Sequence, residues 1–376
     1  MHLFNFGLSK YYKMKMTGDN MKDNKVILHA TDLDGFLKDN DKELITKVRT
    51  LYERSLKACD VIDNTTDEAT LNEAKQELVA SSSEIGRFLK SSLKTEKNIH
   101  VYCFESPEEL HGEASRLIAK LRDPRTGHEE FLYYIQRAYE LMFSFVFSDR
   151  ALKENKRSII TMTPVTNPCR NYAVHRVPNT DLLTKDAVMC VMLRGALLPS
   201  MIISKEIQDY SADGRITPFA LFKIKRDETK KESNMDYVLD LDKSFFNLRE
   251  LDGKDLIFAD PMNATGGSLV TIVKYLKDKG VKPKSVKFIN VISALKGALR
   301  IVRAIEGCEV YTLWMDPILN DAAYILPGLG DAGDRLNGMD LPGNPRNMIQ
   351  LIADYGSNIN NLYRSQVKKI EETVLG

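Results

Sequence analysis

Apolar residues recur at three- and four-residue spacing through DKELITKVRTLYERSLKACDVI and through EAKQELVASSSEIGRFLKSSL, so residues 41–95 are expected to be helical. Asp63-Asn64-Thr65-Thr66-Asp67 lies between the two stretches and marks a turn with N-cap candidates. The lysine-bearing KTEKN, 94–98, reads as a linker, with a boundary near residue 97. Residues 1–24, rich in Met and Lys, are expected to be loose.

Beyond 97 the pattern changes. IHVYCF (99–104) has strand length, and ELHGEASRLIAKLRD and EFLYYIQRAYELMFSFVF carry helical spacing on either side of a PRTGHE turn. From about residue 186, strand-length apolar runs alternate with helical patterns. AVMCVML (187–193) precedes LLPSMIISKEI, and FALFKIK (219–225) precedes the charged RDETKKESN. DLIFA (255–259) precedes a helix over 268–279 that stops at Gly280, VKFINVIS (286–293) precedes ALKGALRIVRAIEG, and EVYTLWM (309–315) follows. Such alternation predicts an α/β fold, a mostly parallel central sheet flanked by helices, with an appended helical N-terminal region. The expected organisation is a loose segment 1–24, a helical extension 25–97, an α/β domain 98–338 and a helical C-terminal extension 339–376. Ligands in open parallel sheets bind beyond the carboxyl ends of the strands. Chemistry is therefore expected just after 193, 225, 259 and 315.

Composition narrows the class. Apolar residues make up 43% of the 376 and charged residues 28%, the balance of a globular chain. The net charge of +1 makes no global electrostatic case for nucleic acid or an acidic membrane, and no apolar run approaches a bilayer span. The N-terminus has no sustained apolar core, so a secretory signal is not expected. Five scattered cysteines without a CxxC argue against a disulfide framework or structural zinc and fit a reducing cytoplasm. His100, His111, His128 and His175 show no metal-ligand spacing, and no Ser/His/Asp arrangement can be drawn.

Four strand-end segments carry the candidate chemistry. DPMNATGGS (260–268) is a glycine-rich turn from a strand into a helix, where free amide groups and the helix dipole favour an anion. Thr265 and Ser268 add hydroxyls, and no Gly-Lys-Ser/Thr follows as a Walker loop would need. Asp260 would repel phosphate and should face something else, such as sugar hydroxyls or a magnesium-bearing ligand. The bland alternative is a strand–helix turn with Ser268 as N-cap. YILPGLGDAGD (324–334) satisfies GxGxxG, yet Pro327 and the absence of a long following helix exclude a dinucleotide fingerprint. It can instead offer backbone groups to a flat polar ligand. Arg194, in LRGAL, follows a strand and is either a phosphate fork or a surface arginine. KIKRDETKKES is either a solvated loop or a lid carrying Arg226 over an anion. VILHATDLDGFL (26–37) has the look of a haloacid-dehalogenase motif but puts Phe36 where threonine is needed, so Asp32 or Asp34 is expected to cap a turn.

With those motifs in place, the chain resembles the uracil phosphoribosyltransferases, type I phosphoribosyltransferases. DPMNATGGS resembles their phosphoribosyl-pyrophosphate (PRPP) loop, usually DPMLATGGS, and YILPGLGDAGD resembles their uracil loop. LIAKLRDPRTGHEEFLYYIQRAYELM (117–142) and DPILNDAAY (316–324) extend the likeness over roughly 99–338. The resemblance implies conversion of uracil and PRPP to UMP and pyrophosphate, with Mg²⁺ carried on PRPP rather than held by protein ligands. It implies PRPP binding by Asp260, Pro261, Met262, Asn263, Ala264, Thr265, Gly266, Gly267 and Ser268, with Ala264 to Ser268 on the 5′-phosphate and Asp260 on the ribose. Arg194 and Arg226 match the pyrophosphate-side arginines. Ile325, Gly330, Asp331 and Ala332 match the uracil positions, with Asp331 also approaching PRPP. Asp260, Arg194, Arg226 and Asp331 are the implied catalytic set, and a homodimer or homotetramer is the implied assembly.

Three departures stand out: the family's LRAG reads LRGA after Leu193, Asn263 replaces leucine, and the segment 226–254 is longer than usual. If the LRGA turn needs glycine's backbone freedom at one position, its pyrophosphate geometry changes. The LRGA exchange and the appended terminal segments favour an alternative, a non-catalytic PRPP- or UMP-binding regulator on the same fold whose extra helices contact a partner.

Overall fold

A computed structural model describes residues 21–22, 24–104, 111–148, 155–164, 171–338 and 366–375. The strands are β1 (Met21–Lys22), β2 (Lys25–His29), β3 (Ile99–Phe104), β4 (Lys156–Thr163), β5 (Asn171–Pro178), β6 (Ala187–Leu193), β7 (Phe219–Arg226), β8 (Asp236–Phe245), β9 (Asp255–Ala259), β10 (Met262–Asn263), β11 (Ser285–Ala294), β12 (Cys308–Asp316), β13 (Ile318–Leu319) and β14 (Ile325–Leu326). The helices used below are α1 (Ala30–Asp34), α2 (Asp39–Asn64), α3 (Glu68–Leu93), α4 (Gly112–Arg122), α5 (His128–Phe143), α6 (Leu197–Tyr210), α7 (Gly267–Asp278), α8 (Leu295–Ala304) and α9 (Ala332–Asn337).

The main sheet runs β1-β2-β8-β7-β6-β9-β11-β12-β3, with β10 paired to β11. From β7 to β3 the pairings are parallel, and β8 and β2 are added antiparallel at one side. Every residue of β6 and of β9 is buried. Their unbroken apolar runs reflect a sheet covered on both faces. The expected α/β architecture and helical N-terminal region are both present.

The extension 25–97 is more than a pair of helices. Its first strand, β2, pairs with β8 at one side of the sheet, and the chain then runs through α2 and α3 to β3 at the other edge. Val48 of α2 and Ile85 and Leu89 of α3 belong to the same continuous core as Val191 and Ile289. An ion group fastens this region to α8: Arg303 pairs with Asp41 at 2.9 Å and with Glu96 at 2.7 Å. In the segment expected to be loose, residues 21–22 pair with β2. Of the C-terminal extension, residues 366–375 are helical, and 339–365 lie outside the described residues.

Two parts of the sheet differ from the expectation. The segment 226–254 is not one long loop: β8 occupies its middle and pairs antiparallel with β7, leaving 227–235 as the connection. Within DYVLDLDKSF, Leu239 to Asp242 alternate apolar and polar residues, a short strand signal the flanking charges obscure. A separate hairpin, β4 with β5, also lies where no strand is expected.

Candidate active site

A cleft of about 270 Å³ opens at the carboxyl ends of β6, β7 and β9 and is closed on its far side by the loop 323–333. All four strand ends singled out from the pattern contribute to it, directly or through the loop that follows β12. Arg194, Arg226, Asp260, Pro261, Met262, Asn263, Ala264, Thr265, Gly266, Ser268, Gly330, Asp331 and Ala332 line it. Gly267 and Ile325 do not. Gly267 lies against the Tyr237 ring, where a Cβ would sit 2.2 Å from the ring, and Ile325 is a buried residue of β14.

The 260–268 turn is built by its glycines. Gly266 is the N-cap of α7 at φ 74°, and no side chain caps that helix end. A Cβ there would meet the Gly297 carbonyl of α8 at 2.8 Å, so only glycine lets the turn rest this closely on α8. Ser268 is not the N-cap but the second residue of α7. The uncapped first turn of α7 starts at the cleft, where aligned amide dipoles favour negative charge.

Asp260 stands at the end of β9, and its Oδ1 accepts from the Met262 amide at 3.0 Å. Burial is the main influence on its carboxyl and pushes it up to about 7. The Met262 amide and the charge of Arg226 oppose that rise, and Asp331 adds to it. Arg226 donates to the Ala323 carbonyl at 3.1 Å and lies 5.7 Å from the Tyr324 ring centroid. Arg194 donates to Asp334 at 2.8 Å and to the Gly338 carbonyl at 2.9 Å. Asp331 is the N-cap of α9 and accepts from the Asp334 amide at 2.9 Å.

Two of the departures lose their force here. Gly195 has no positive φ, and Ala196 is right-handed at φ −81°, so neither position of the LRGA turn draws on glycine's special freedom. Asn263 is buried, and its amide donates to Ser293 of β11 at 2.8 Å. Its side chain is bonded to the sheet beneath the turn.

The loop 324–334 is held from behind by residues that sequence reading passed over. Asp316, fully buried at the end of β12, accepts from Arg122 at 2.5 Å and from the Gly328 amide at 2.9 Å. Gly328 has φ 68°, and a Cβ on it would lie 2.2 Å from the Ile325 carbonyl. Arg335 donates to the carbonyls of Leu121, Leu329 and Asp123 and packs on the Phe131 ring. The LRDPRT stretch therefore serves as the socket of this loop. The available signal was its pairing, in one chain, with DPILNDAAY.

The family profile described as uracil phosphoribosyltransferase matches residues 110–338. Uracil phosphoribosyltransferase of Dictyoglomus thermophilum is 33% identical over 222 residues, covering 59% of this chain and 93% of the relative. That of Campylobacter fetus subsp. fetus is 32% identical over 216 residues, covering 57% and 89%. That of Ligilactobacillus salivarius is 29% identical over 218 residues, covering 58% and 90%. With both sequence motifs on one cleft and the match running through every strand that builds it, the chain belongs to the uracil phosphoribosyltransferase family and is a pentosyltransferase.

Proposed function

We propose that this enzyme transfers the 5-phosphoribosyl group of PRPP to uracil, giving UMP and pyrophosphate in pyrimidine salvage. The observation that carries this is the meeting of the 260–268 turn and the 324–334 loop in one cleft. Ala264 to Ser268 hold the 5′-phosphate at the uncapped start of α7. Asp260 holds the ribose hydroxyls. Arg194 and Arg226 neutralise the departing pyrophosphate, together with the Mg²⁺ that PRPP brings. Gly330, Asp331 and Ala332 hold uracil, and Ile325 backs them from the core.

The chemistry follows from those positions. The bond from C1 of the sugar to pyrophosphate breaks through an oxocarbenium-like state, the bond from uracil N1 to C1 forms, and the N1 proton is released. Catalysis is electrostatic: a cation on the sugar faces Asp260, and a polyanion faces the arginines. Turnover also requires that water be kept from the sugar, which it would otherwise capture. The ionised form of Asp260 is the acting one, so kcat/KM for PRPP should rise with pH through about 7 in a pH–rate profile.

Uracil presents acceptor, donor and acceptor along O2, N3 and O4, which fixed backbone groups of the loop can match. Cytosine has a donor amine at position 4 and no hydrogen on N3, so it mismatches two of those groups, and its kcat/KM should be lower by about 100-fold or more. Equal use of both bases in a competition assay would refute the assignment of 324–334. The LRGA turn needs no glycine-specific conformation, which leaves the appended segments as the feature that favours the non-catalytic alternative. Asn263→Leu should leave the PRPP dissociation constant within about twofold of wild type, because its amide is committed to Ser293. A tenfold weakening, measured by calorimetry, would instead place that amide on the phosphate.

A further inference from the structure

Arg300, on α8, is one of the largest fully buried side chains, and its guanidinium has three partners from distant parts of the chain. Its Nε and Nη2 donate to Oδ1 of Asp34 at 3.0 and 2.5 Å. Its Nη1 lies 2.9 Å from a Glu232 carboxylate oxygen and donates to the Thr265 carbonyl at 3.4 Å. Lys296, one turn earlier on α8, pairs with the same two carboxylates, at 2.9 Å to Glu232 and 3.5 Å to Asp34. Two cations and two carboxylates thus balance directly behind the 260–268 turn. Asp34 ends α1 and lies outside the stretch matched by the family profile, which begins at 110.

The contact with Thr265 has a consequence for the cleft. A trans peptide is planar, and its carbonyl and amide hydrogen point in opposite directions. A carbonyl of Thr265 held by Arg300 from behind aims the Gly266 amide the other way, and Gly266 lines the cleft. The same helix supports Gly266 from below, with the Gly297 carbonyl and the Ile301 side chain too close to admit a Cβ. α8 is therefore the seat of the turn, and Arg300 is the polar pin in that seat.

We infer that Asp34 of the N-terminal extension is a positioning residue for PRPP, acting through Arg300 to fix the Thr265–Gly266 peptide that faces the 5′-phosphate. Without Asp34 the buried guanidinium has Glu232 as its remaining carboxylate partner and is drawn toward it, away from the Thr265 carbonyl. The amide donor behind that peptide then loses its fixed direction. The effect belongs to the phosphate end of the cleft and should leave uracil untouched. The inference rests on the assignment of the 260–268 turn to PRPP.

The experiment uses the full-length chain with Asp34→Asn, Arg300→Met and the double variant, and measures PRPP dissociation constants by calorimetry in the presence of Mg²⁺. Asp34→Asn keeps the size of the side chain, and thermal melting verifies that each variant is folded. Each single variant should weaken PRPP binding by about tenfold, the loss of one charge-assisted hydrogen bond. The double variant should be no weaker than Arg300→Met alone, because Asp34 acts only through that arginine. KM for uracil should stay at the wild-type value, and Asp34→Glu should recover part of the loss. Unchanged PRPP binding in Asp34→Asn, additive losses in the double variant, or an equal rise in the KM for uracil would overturn the inference. A wild-type chain that does not bind PRPP would refute the assignment of the 260–268 turn itself, whereas equal PRPP binding by wild type and Asp34→Asn would refute this inference alone.

Discussion

Asp260→Asn should lower turnover by about 100-fold or more while making the folded protein more stable at neutral pH. Both effects have one origin. The carboxylate sits where the cleft walls disfavour its charge, which is why its carboxyl is raised to about 7. That charge is useful only when a cation develops on the sugar facing it. In the free protein it is a burden. The folded state binds the Asp260 proton more tightly than the unfolded state, so between about pH 4 and pH 7 the folded state carries more protons. Stability from this group therefore falls as pH rises through that window, by at most about 1.4 kcal/mol per pH unit, and stays level above it. Asparagine has no such dependence. The gap in melting temperature between variant and wild type should be near zero at pH 4, grow toward pH 7 and then hold. A gap that is constant with pH would show that the stability change has another cause. Unaltered turnover would remove Asp260 from the mechanism.

Arg122→Met should separate the two ends of the cleft in the opposite sense. Arg122 faces the fully buried Asp316, whose other oxygen holds the Gly328 amide. Removing one member of a buried pair leaves an uncompensated charge and costs about 3–5 kcal/mol. Denaturant unfolding should show that loss in Arg122→Met. Adding Asp316→Asn should restore part of it, since the second change removes the stranded charge and keeps an acceptor for Gly328. The functional consequence falls on the base end. With Asp316 displaced, the turn at Gly328 loses the anchor that sets Gly330 and Asp331, and KM for uracil should rise several-fold more than KM for PRPP. A uniform rise in both would mean that Arg122 supports the whole domain and not this loop.

The sheet and the two glycine-rich segments at the cleft were legible because their signals are local. AVMCVML and DLIFA match β6 and β9 residue for residue, and the glycines of 260–268 and 324–334 announce turns wherever they occur. What stayed hidden depends on contacts between distant residues. Arg300 sits in ALKGALRIVRA, where helical spacing gives no reason to bury it. It is fully buried because Asp34, 266 positions earlier, meets it there. The stretch 26–37 offers Asp32 or Asp34 as the cap. Asp32 does that work, accepting from the His29 amide at 3.4 Å, and Asp34 is spent on the ion pair. The strand β8 was missed for a different reason: its alternation is short, and the charged residues on both sides read as one solvated loop. The polar contact of Asn263 could not be located from the sequence because its partner, Ser293, lies 30 positions away on β11.

The central claim is that the turn at 260–268 and the loop at 324–334 act on two substrates in one reaction. Its most direct measurement mixes the full-length protein with radiolabelled uracil, PRPP and Mg²⁺ and follows the label. Label should appear in UMP, with one pyrophosphate released per UMP formed and no conversion when PRPP is withheld. PRPP that binds measurably while all the label stays in uracil would contradict that claim.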